Sequence, residues 1–254
     1  MKSAKPLSFL TAYLSGLTLL ELHLAAIRKY HPDAEIIISA VDDSARKLVE
    51  KYRGRYFIDN LEQLPAVAAL LSRASHDVIV INDHDTVLFN NVNFLADKLA
   101  KFDVVGIEER LKHPTKDRWF RYAPGYTGLS FFMFSRAKAR IRIPNWPKFF
   151  DLEFDNPHNQ NNEPHYYICE LLTKHYYLRP YSTEKYGLGN LLKDGDKNIL
   201  WHQWFGSWEK RGAFISERDR EDNPYRNMAE LRAAEARFIQ DYPQLDFRRA
   251  KPAF

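Results

Sequence analysis

The sequence holds a single cysteine, Cys169, so no disulfide can form within it and no cysteine-cluster metal site can be assembled. Cys169 falls in a predicted helix among apolar residues and reads as an inert core residue. A long apolar run is also missing. Lys2 and Lys5 followed by Leu7 through Leu20 have the outline of a leader, but Ser8, Thr11, Ser15, Gly16, Thr18, Glu21 and His23 interrupt it, and it is too polar to span a bilayer. The segment reads instead as strand, turn and helix, which makes the expected location cytoplasmic, with peripheral membrane contact allowed by the charge. No glycine-rich basic loop follows the first strand to cradle a triphosphate. Internal repeats, low-complexity blocks and clear linkers are absent too. The net charge of +4 and pI near 8.9 are mild; they suit an anionic small molecule or a membrane surface and do not call for nucleic acid.

What is present is ordinary globular material: 254 residues, 45% hydrophobic and 28% charged, enough to bury a sizeable core. Aromatics reach 14% and concentrate between Trp119 and Tyr186, as a stacking cleft or a well-packed core would require. The first hundred residues alternate between short apolar β-branched runs and helical periodicity. Strands are predicted over Leu7–Tyr13, Glu35–Val41, Arg55–Ile58 and Val78–Ile81. Helices are predicted over Leu17–Tyr30, which ends before His31-Pro32-Asp33, Ala45–Tyr52 and Leu61–Ser75. This alternation predicts an α/β fold with a mostly parallel central sheet covered by helices. Ligands of such sheets lie beyond the carboxyl ends of the strands, the rim where Tyr13, Asp42, Asp43, Asp83 and Asp85 fall.

The stretch His76 to Phe89 is the most informative. A buried apolar strand runs into Asp83-His84-Asp85, and alternation in an extended chain can turn residues two apart to the same side. Two carboxylates that close repel unless a cation lies between them, which points to Mg²⁺ or Mn²⁺ shared with a substrate diphosphate; a polar strand end capping the next turn is the other reading.

The second half is less regular. Val104–Ile107 reads as a strand, Glu108–Arg121 as a charged loop and Tyr126–Phe134 as a buried strand led by Gly128. Asp155–Pro164 is loop, Pro164–Lys174 helix, Tyr176–Arg179 a short strand and Glu184–Lys197 a polar loop. His202 stands in an aromatic segment with Trp201, Trp204 and Phe205, either as a metal ligand or as a histidine held among the rings. A last helix is expected over about Met228–Asp241, before a basic tail of Arg248, Arg249 and Lys251.

Over residues 7–208 this order of elements resembles the GT-A glycosyltransferases, a nucleotide-diphospho-sugar transferase fold with a Rossmann-like sheet. The opening from Phe9 to Ser44 is similar to the large inverting family that includes the cellulose and hyaluronan synthases. Two positions differ from that family: Ser44 follows the acidic pair where a glycine is usual, and Asn162 precedes Glu163 where a second acid is usual. The resemblance implies one glycosyltransferase domain over 1–254, with a nucleotide-sugar half (about 1–105), an acceptor and catalytic half (about 106–208) and a helical extension (209–254). It implies a metal-dependent, inverting transfer from a UDP-, dTDP- or GDP-sugar to a hydroxyl acceptor on a glycan, lipid-linked or surface polysaccharide, with Mn²⁺ or Mg²⁺ as cofactor. Thr11, Tyr13, Asp42, Asp43 and Asp83 would bind the donor, and Asp83, Asp85 and His202 the metal. Glu163, or second Asp155, would be the catalytic base, and Trp119, Tyr126 and Gly128, with Tyr122 and Trp146, the acceptor side. A sugar-phosphate nucleotidyltransferase and a catalytically inactive nucleotide-sugar-binding module are the competing classes.

Overall fold

The computed structural model describes residues 5–13, 16–59, 63–108, 127–143, 171–182 and 189–203, with residues 233, 236, 237 and 240. The elements are β1 Leu7–Tyr13, α1 Leu17–Tyr30, β2 Glu35–Ala40, α2 Arg46–Lys51, β3 Arg55–Ile58, α3 Gln63–Arg73, β4 Val78–Ile81, β5 Thr86–Leu88, α4 Asn93–Lys98, β6 Val104–Glu108, β7 Thr127–Ser135, α5 Arg136–Arg142, β8 His175–Ser182, β9 Gly189–Asp194 and β10 Lys197–Gln203.

They form a mixed α/β structure around a ten-stranded sheet of order β3-β2-β1-β4-β7-β6-β8-β9-β10-β5. β1 is parallel to β2 and β4, β2 to β3, and β6 to β8. β7 runs against β4 and β6, and β8, β9, β10 and β5 pair antiparallel in turn. Following these pairings, all strands but β5, β7 and β9 point the same way, so the sheet is mostly parallel, as expected.

Helices cover both faces, and the strands are therefore apolar on both. On β1, Leu7, Phe9 and Tyr13 face one core cluster with α1, while Leu10 faces the other with α3. β2 and β4 divide likewise, Ile36, Ile38, Val78 and Val80 against Ile37, Ile79 and Ile81. Gly16, at φ 93°, turns the chain from β1 into α1. α1 is buried along most of its length, including His23 and Arg28. Arg28 donates to the carbonyls of Tyr52 (2.6 Å), Pro32 (3.1 Å), Ala34 (2.6 Å) and Arg53 (2.9 Å), which lets a guanidinium sit inside without a carboxylate.

Three expectations change. Thr86–Leu88 is a strand of its own, β5, separated from β4 by the acidic turn. The supposed polar loop Glu184–Lys197 contains β9, whose Leu192 is buried while Lys193 and Asp194 give it a polar look; the tight turn at Gly195 (φ 59°) joins it to β10. β8 extends to Ser182 because its first half pairs with β6 and its second with β9. Cys169 and most of the helices expected over 164–174 and 228–241 lie outside the described residues, although 233, 236, 237 and 240 are helical. No described helix is long and apolar enough to cross a membrane.

His31, after α1, accepts the Val92 N–H on Nε2 (2.9 Å) and packs on Phe9. Desolvation lowers its pKa to about 4, so it is neutral in the folded protein at pH 7. Between the unfolded value near 6.5 and about 4 the unfolded chain binds the extra proton, so stability is full above that window and is lost as pH falls through it. Urea unfolding across this range should show the decline, and His31→Gln, which keeps an acceptor for Val92, should remove up to about 3 kcal/mol of it. An identical decline in the variant would refute this assignment.

Candidate functional site

Parallel register decides which residues meet. Tyr13 lies beside Ala40 at the ends of β1 and β2, and Leu10 beside Ile81 at the end of β4. Tyr13, Asp42, Asp43 and Asp83 therefore share the carboxyl edge. β10 points the same way and brings His202 to that edge; β7 points the other way and begins there, with the Gly128 backbone beside Ile107.

The two aspartates converge by a tight turn. The alternation expected from an extended strand is not the cause, because residues 84–85 are turn residues between β4 and β5. The Asp83 carbonyl accepts from both the Thr86 N–H (3.2 Å) and the Thr86 hydroxyl (2.7 Å), which folds the three motif residues back. β10 then supplies the partner: His202 Nε2 lies 3.5 Å from Asp85 Oδ1 and 3.9 Å from Asp83 Oδ2. One ligand atom from each of the three falls within 4.8 Å of the others. Neighbouring residues of a strand face opposite ways, so the buried Trp201 ring points away while His202 turns to the acids. Trp204 and Phe205 lie outside the described residues.

Asp85 is 4% exposed and Asp83 half-buried. Burial alone would raise the Asp85 carboxyl; hydrogen bonding and charge from His202, with His84 behind, outweigh it and hold the group below its ordinary value. An ionised, mostly enclosed carboxylate, a second one and an imidazole form a donor set that suits a divalent ion of the Mn²⁺ or Mg²⁺ type, the carboxylates supplying the hard oxygens.

Beneath the turn is a polar cluster of Thr11, His23, Asn82 and Thr86. His23 of α1 is fully buried, its Nδ1 2.7 Å from the Thr86 carbonyl and its Nε2 3.2 Å from the Thr11 hydroxyl and 3.4 Å from the Asn82 amide nitrogen. Thr11 donates to Asn82 Oδ1 (3.2 Å), and Asn82 donates to Thr86 Oγ1 (3.3 Å). Desolvation takes the His23 pKa down to about 4, so the ring is neutral. Polar Asn82 and Thr86 flanking the acids were one available signal. The other was a histidine inside the apolar face of α1.

The remaining expected residues are placed as follows. The Thr11 hydroxyl is spent inside that cluster, and its side chain is fully enclosed. Tyr13 is buried with its ring edge-on to His84 at 5.2 Å. Asp42 Oδ1 accepts the Ser44 N–H (2.8 Å), and the Tyr56 hydroxyl donates to the Asp42 carbonyl. Asp43 pairs with Arg46 at 2.5 Å on the surface. Glu163, Asp155, Trp119, Tyr122, Tyr126 and Trp146 lie outside the described residues.

No protein-family model matches the chain, and no curated protein matches it. Solved structures that overlay on part of it include the mannosyltransferase PcManGT from Pyrobaculum calidifontis in complex with GDP-Man and Mn²⁺, 14% identical with a TM-score of 0.48, covering 69% of this chain and 55% of that one. The glycosyltransferase GlyE of Streptococcus pneumoniae TIGR4 is 10% identical with a TM-score of 0.48, covering 69% and 45%. The glucosyl-3-phosphoglycerate synthase of M. tuberculosis is 15% identical with a TM-score of 0.41, covering 54% and 60%. This chain thus spans about half the length of each (55%, 45% and 60%), and likeness at this level decides nothing about what it binds.

Asp85 is the most enclosed of the three candidate ligands, and its loss should be the most damaging. Asp85→Asn keeps the shape but removes the charge, so calorimetric Mn²⁺ binding should disappear while circular dichroism stays that of the parent. Unchanged Mn²⁺ affinity would remove Asp85 from the metal site.

Proposed function

We propose that this chain is a metal-dependent glycosyltransferase of the GT-A type, moving a sugar from a nucleotide-diphosphate donor to a hydroxyl acceptor with inversion. The observation that carries the reading is the meeting of Asp83, Asp85 and His202 at the carboxyl edge of a mostly parallel α/β sheet. Ligands of such sheets bind at that edge, and two carboxylates with an imidazole suit a divalent ion that a diphosphate also contacts.

Glycosyl transfer breaks the bond from the anomeric carbon to the diphosphate, and charge builds on the leaving oxygen. A bound Mn²⁺ or Mg²⁺ supplies Lewis-acid stabilisation of that charge. Asp85 and His202 hold the ion, and Asp83 serves the ion or the donor ribose. Tyr13 belongs to the donor side of the rim. Asp42 and Asp43, at the end of β2, lie beside the base, where a carboxylate accepts an imide N–H such as that of uracil. This favours UDP or dTDP donors, with GDP the third choice. On the acceptor side, Gly128 and the aromatics Trp119 and Tyr126 are assigned to the incoming hydroxyl compound. Peripheral contact with a membrane would suit a lipid-linked acceptor and the mild positive charge.

A panel of nucleotide sugars incubated with and without Mn²⁺ tests the class directly. Slow Mn²⁺-dependent release of nucleoside diphosphate is the expected result. Pyrophosphate release would move the chain to the nucleotidyltransferases, and binding without any release would make it an inactive nucleotide-sugar module. In the same assay UDP, dTDP or GDP should displace donor better than CDP or ADP; the reverse order would take Asp42 and Asp43 away from the base.

Inversion requires a general base opposite the leaving group, ionised at neutral pH and within hydrogen-bond reach of the acceptor hydroxyl. Glu163 is assigned that role and Asp155 is second. Its place before an expected helix favours the ionised form. Glu163→Gln should lower turnover by about 100-fold or more while leaving donor affinity intact. Near-normal turnover would pass the role to Asp155, or to a retaining reaction that needs no such base.

A further inference from the structure

All three candidate ligands are arranged around one residue, Thr86. Asp83 and Asp85 precede it in the turn, and His202 stands opposite it in the β5–β10 ladder. In an antiparallel ladder, hydrogen-bonded and non-hydrogen-bonded pairs alternate. The Phe89 N–H donates to the Ile199 carbonyl (2.9 Å), so counting back along β5 makes Thr86 and His202 a non-hydrogen-bonded pair. Side chains of such a pair approach closely, while the Thr86 N–H and C=O point away from β10, toward the outer margin of the sheet. Among the described residues β5 is the last strand in the order, so no described strand receives an outward carbonyl there.

Both outward groups are nevertheless taken up inside the protein. The N–H goes to the Asp83 carbonyl (3.2 Å), and the C=O lies 2.7 Å from His23 Nδ1. A carbonyl only accepts, so Nδ1 carries the hydrogen and Nε2 is left to accept from the Asn82 amide (3.4 Å) or the Thr11 hydroxyl (3.2 Å). Both ring nitrogens are committed, in one tautomer, and the ring cannot turn over without losing them.

We infer that His23 is a positioning residue for the metal site: by holding the Thr86 carbonyl it fixes the turn that aims Asp83 and Asp85 at His202, and so sets metal affinity without touching the metal. The inference rests on the cluster being a metal site, and the experiment separates the two. A histidine that merely fills the core would affect stability alone. Asparagine places its amide nitrogen where Nδ1 stands and can still donate to Thr86; glutamine places its amide at Nε2 and leaves that carbonyl without its donor.

Mn²⁺ alone is titrated calorimetrically into the full chain, with melting temperatures in parallel, for the parent, His23→Asn, His23→Gln and Thr86→Val. The parent should bind Mn²⁺, and His23→Gln should bind on the order of 10–100-fold more weakly, the usual effect of removing a group that orients a ligand. His23→Asn should recover most of that loss at a melting temperature similar to that of His23→Gln. Thr86→Val, which keeps the backbone and shape but removes the hydroxyl bond to Asp83, should bind about tenfold more weakly. A parent that does not bind Mn²⁺ sinks the metal site and this inference with it. A parent that binds, with His23→Asn and His23→Gln both at parental affinity or equally weakened, overturns the positioning role alone. If neither His23 variant folds, parental affinity in Thr86→Val overturns it.

Discussion

The short crossing from β4 to β5 constrains everything at the functional edge. β4 is fourth in the sheet and β5 tenth, so in a flat sheet six strand spacings, roughly 29 Å, would separate them. Yet Ile81 and Thr86 are five residues apart in sequence, which spans at most about 18 Å even when fully extended. The turn bonds at Asp83 shorten that reach further. The sheet must therefore curl until its last strand returns beside its middle, and α1 is what it curls around: α1 packs against β5. A helix enclosed in this way has to be apolar nearly all round, which is how Leu19–Arg28 reads. His23 and Arg28 are its buried polar exceptions, and His23 meets the crossing at the Thr86 carbonyl.

The acids at the amino edge of the sheet and those of the 83–85 turn have different occupations. At the amino edge each is tied by several donors. Glu35 accepts from Ser8, Arg55 and both the N–H and hydroxyl of Ser75. Asp77 takes the Ser135 hydroxyl and the Ala137 N–H, and Asp103 takes Arg142 and the Lys174 N–H. The bonds to Glu35 outweigh its burial and hold it below its usual value, so it stabilises the fold above the acid range and ceases to as pH falls through its lowered pKa. These are fastenings between elements that neighbour one another in the fold, often far apart in sequence. At the carboxyl edge, Asp83 and Asp85 face each other across one imidazole, with their oxygens gathered in a single place. Repulsion between the two carboxylates is offset by the imidazole, and the arrangement suits a cation.

How far the sequence could be read follows from what each segment packs against. β1, α1, β3 and β4 match their expected bounds because each has a strong periodic pattern ended by glycine, proline or acid. The acidic motif and the late histidine were readable as chemistry. Their meeting was expected only from the resemblance, since it depends on β10 pairing with β5, which no local pattern specifies. β5 itself, Thr-Val-Leu, merges in sequence with the run before it, and β9 hides as a polar loop because a strand with one buried face shows few apolar residues. The convergence of the acids was expected for the wrong reason: the turn at Thr86 achieves it where strand alternation was invoked. Thr11 stood in the right place, but its hydroxyl faces inward because alternation on β1 turns it to the α1 side with Phe9 and Tyr13.

The choice of histidine over a third acid at position 202 also has a physical reason on the proposed reading. Two carboxylates balance a divalent ion, and a neutral imidazole completes the set without adding charge. A third carboxylate would leave the assembly negative at the point where an anionic diphosphate has to approach, in a site where Asp85 is already 4% exposed and water screens little. Histidine also draws the two carboxylates together. Its ring lies within 4 Å of both acids, 3.5 Å from Asp85 Oδ1 and 3.9 Å from Asp83 Oδ2. The same residue thus serves the site twice on that reading, as a neighbour that holds the two carboxylates together and as a ligand that adds no negative charge.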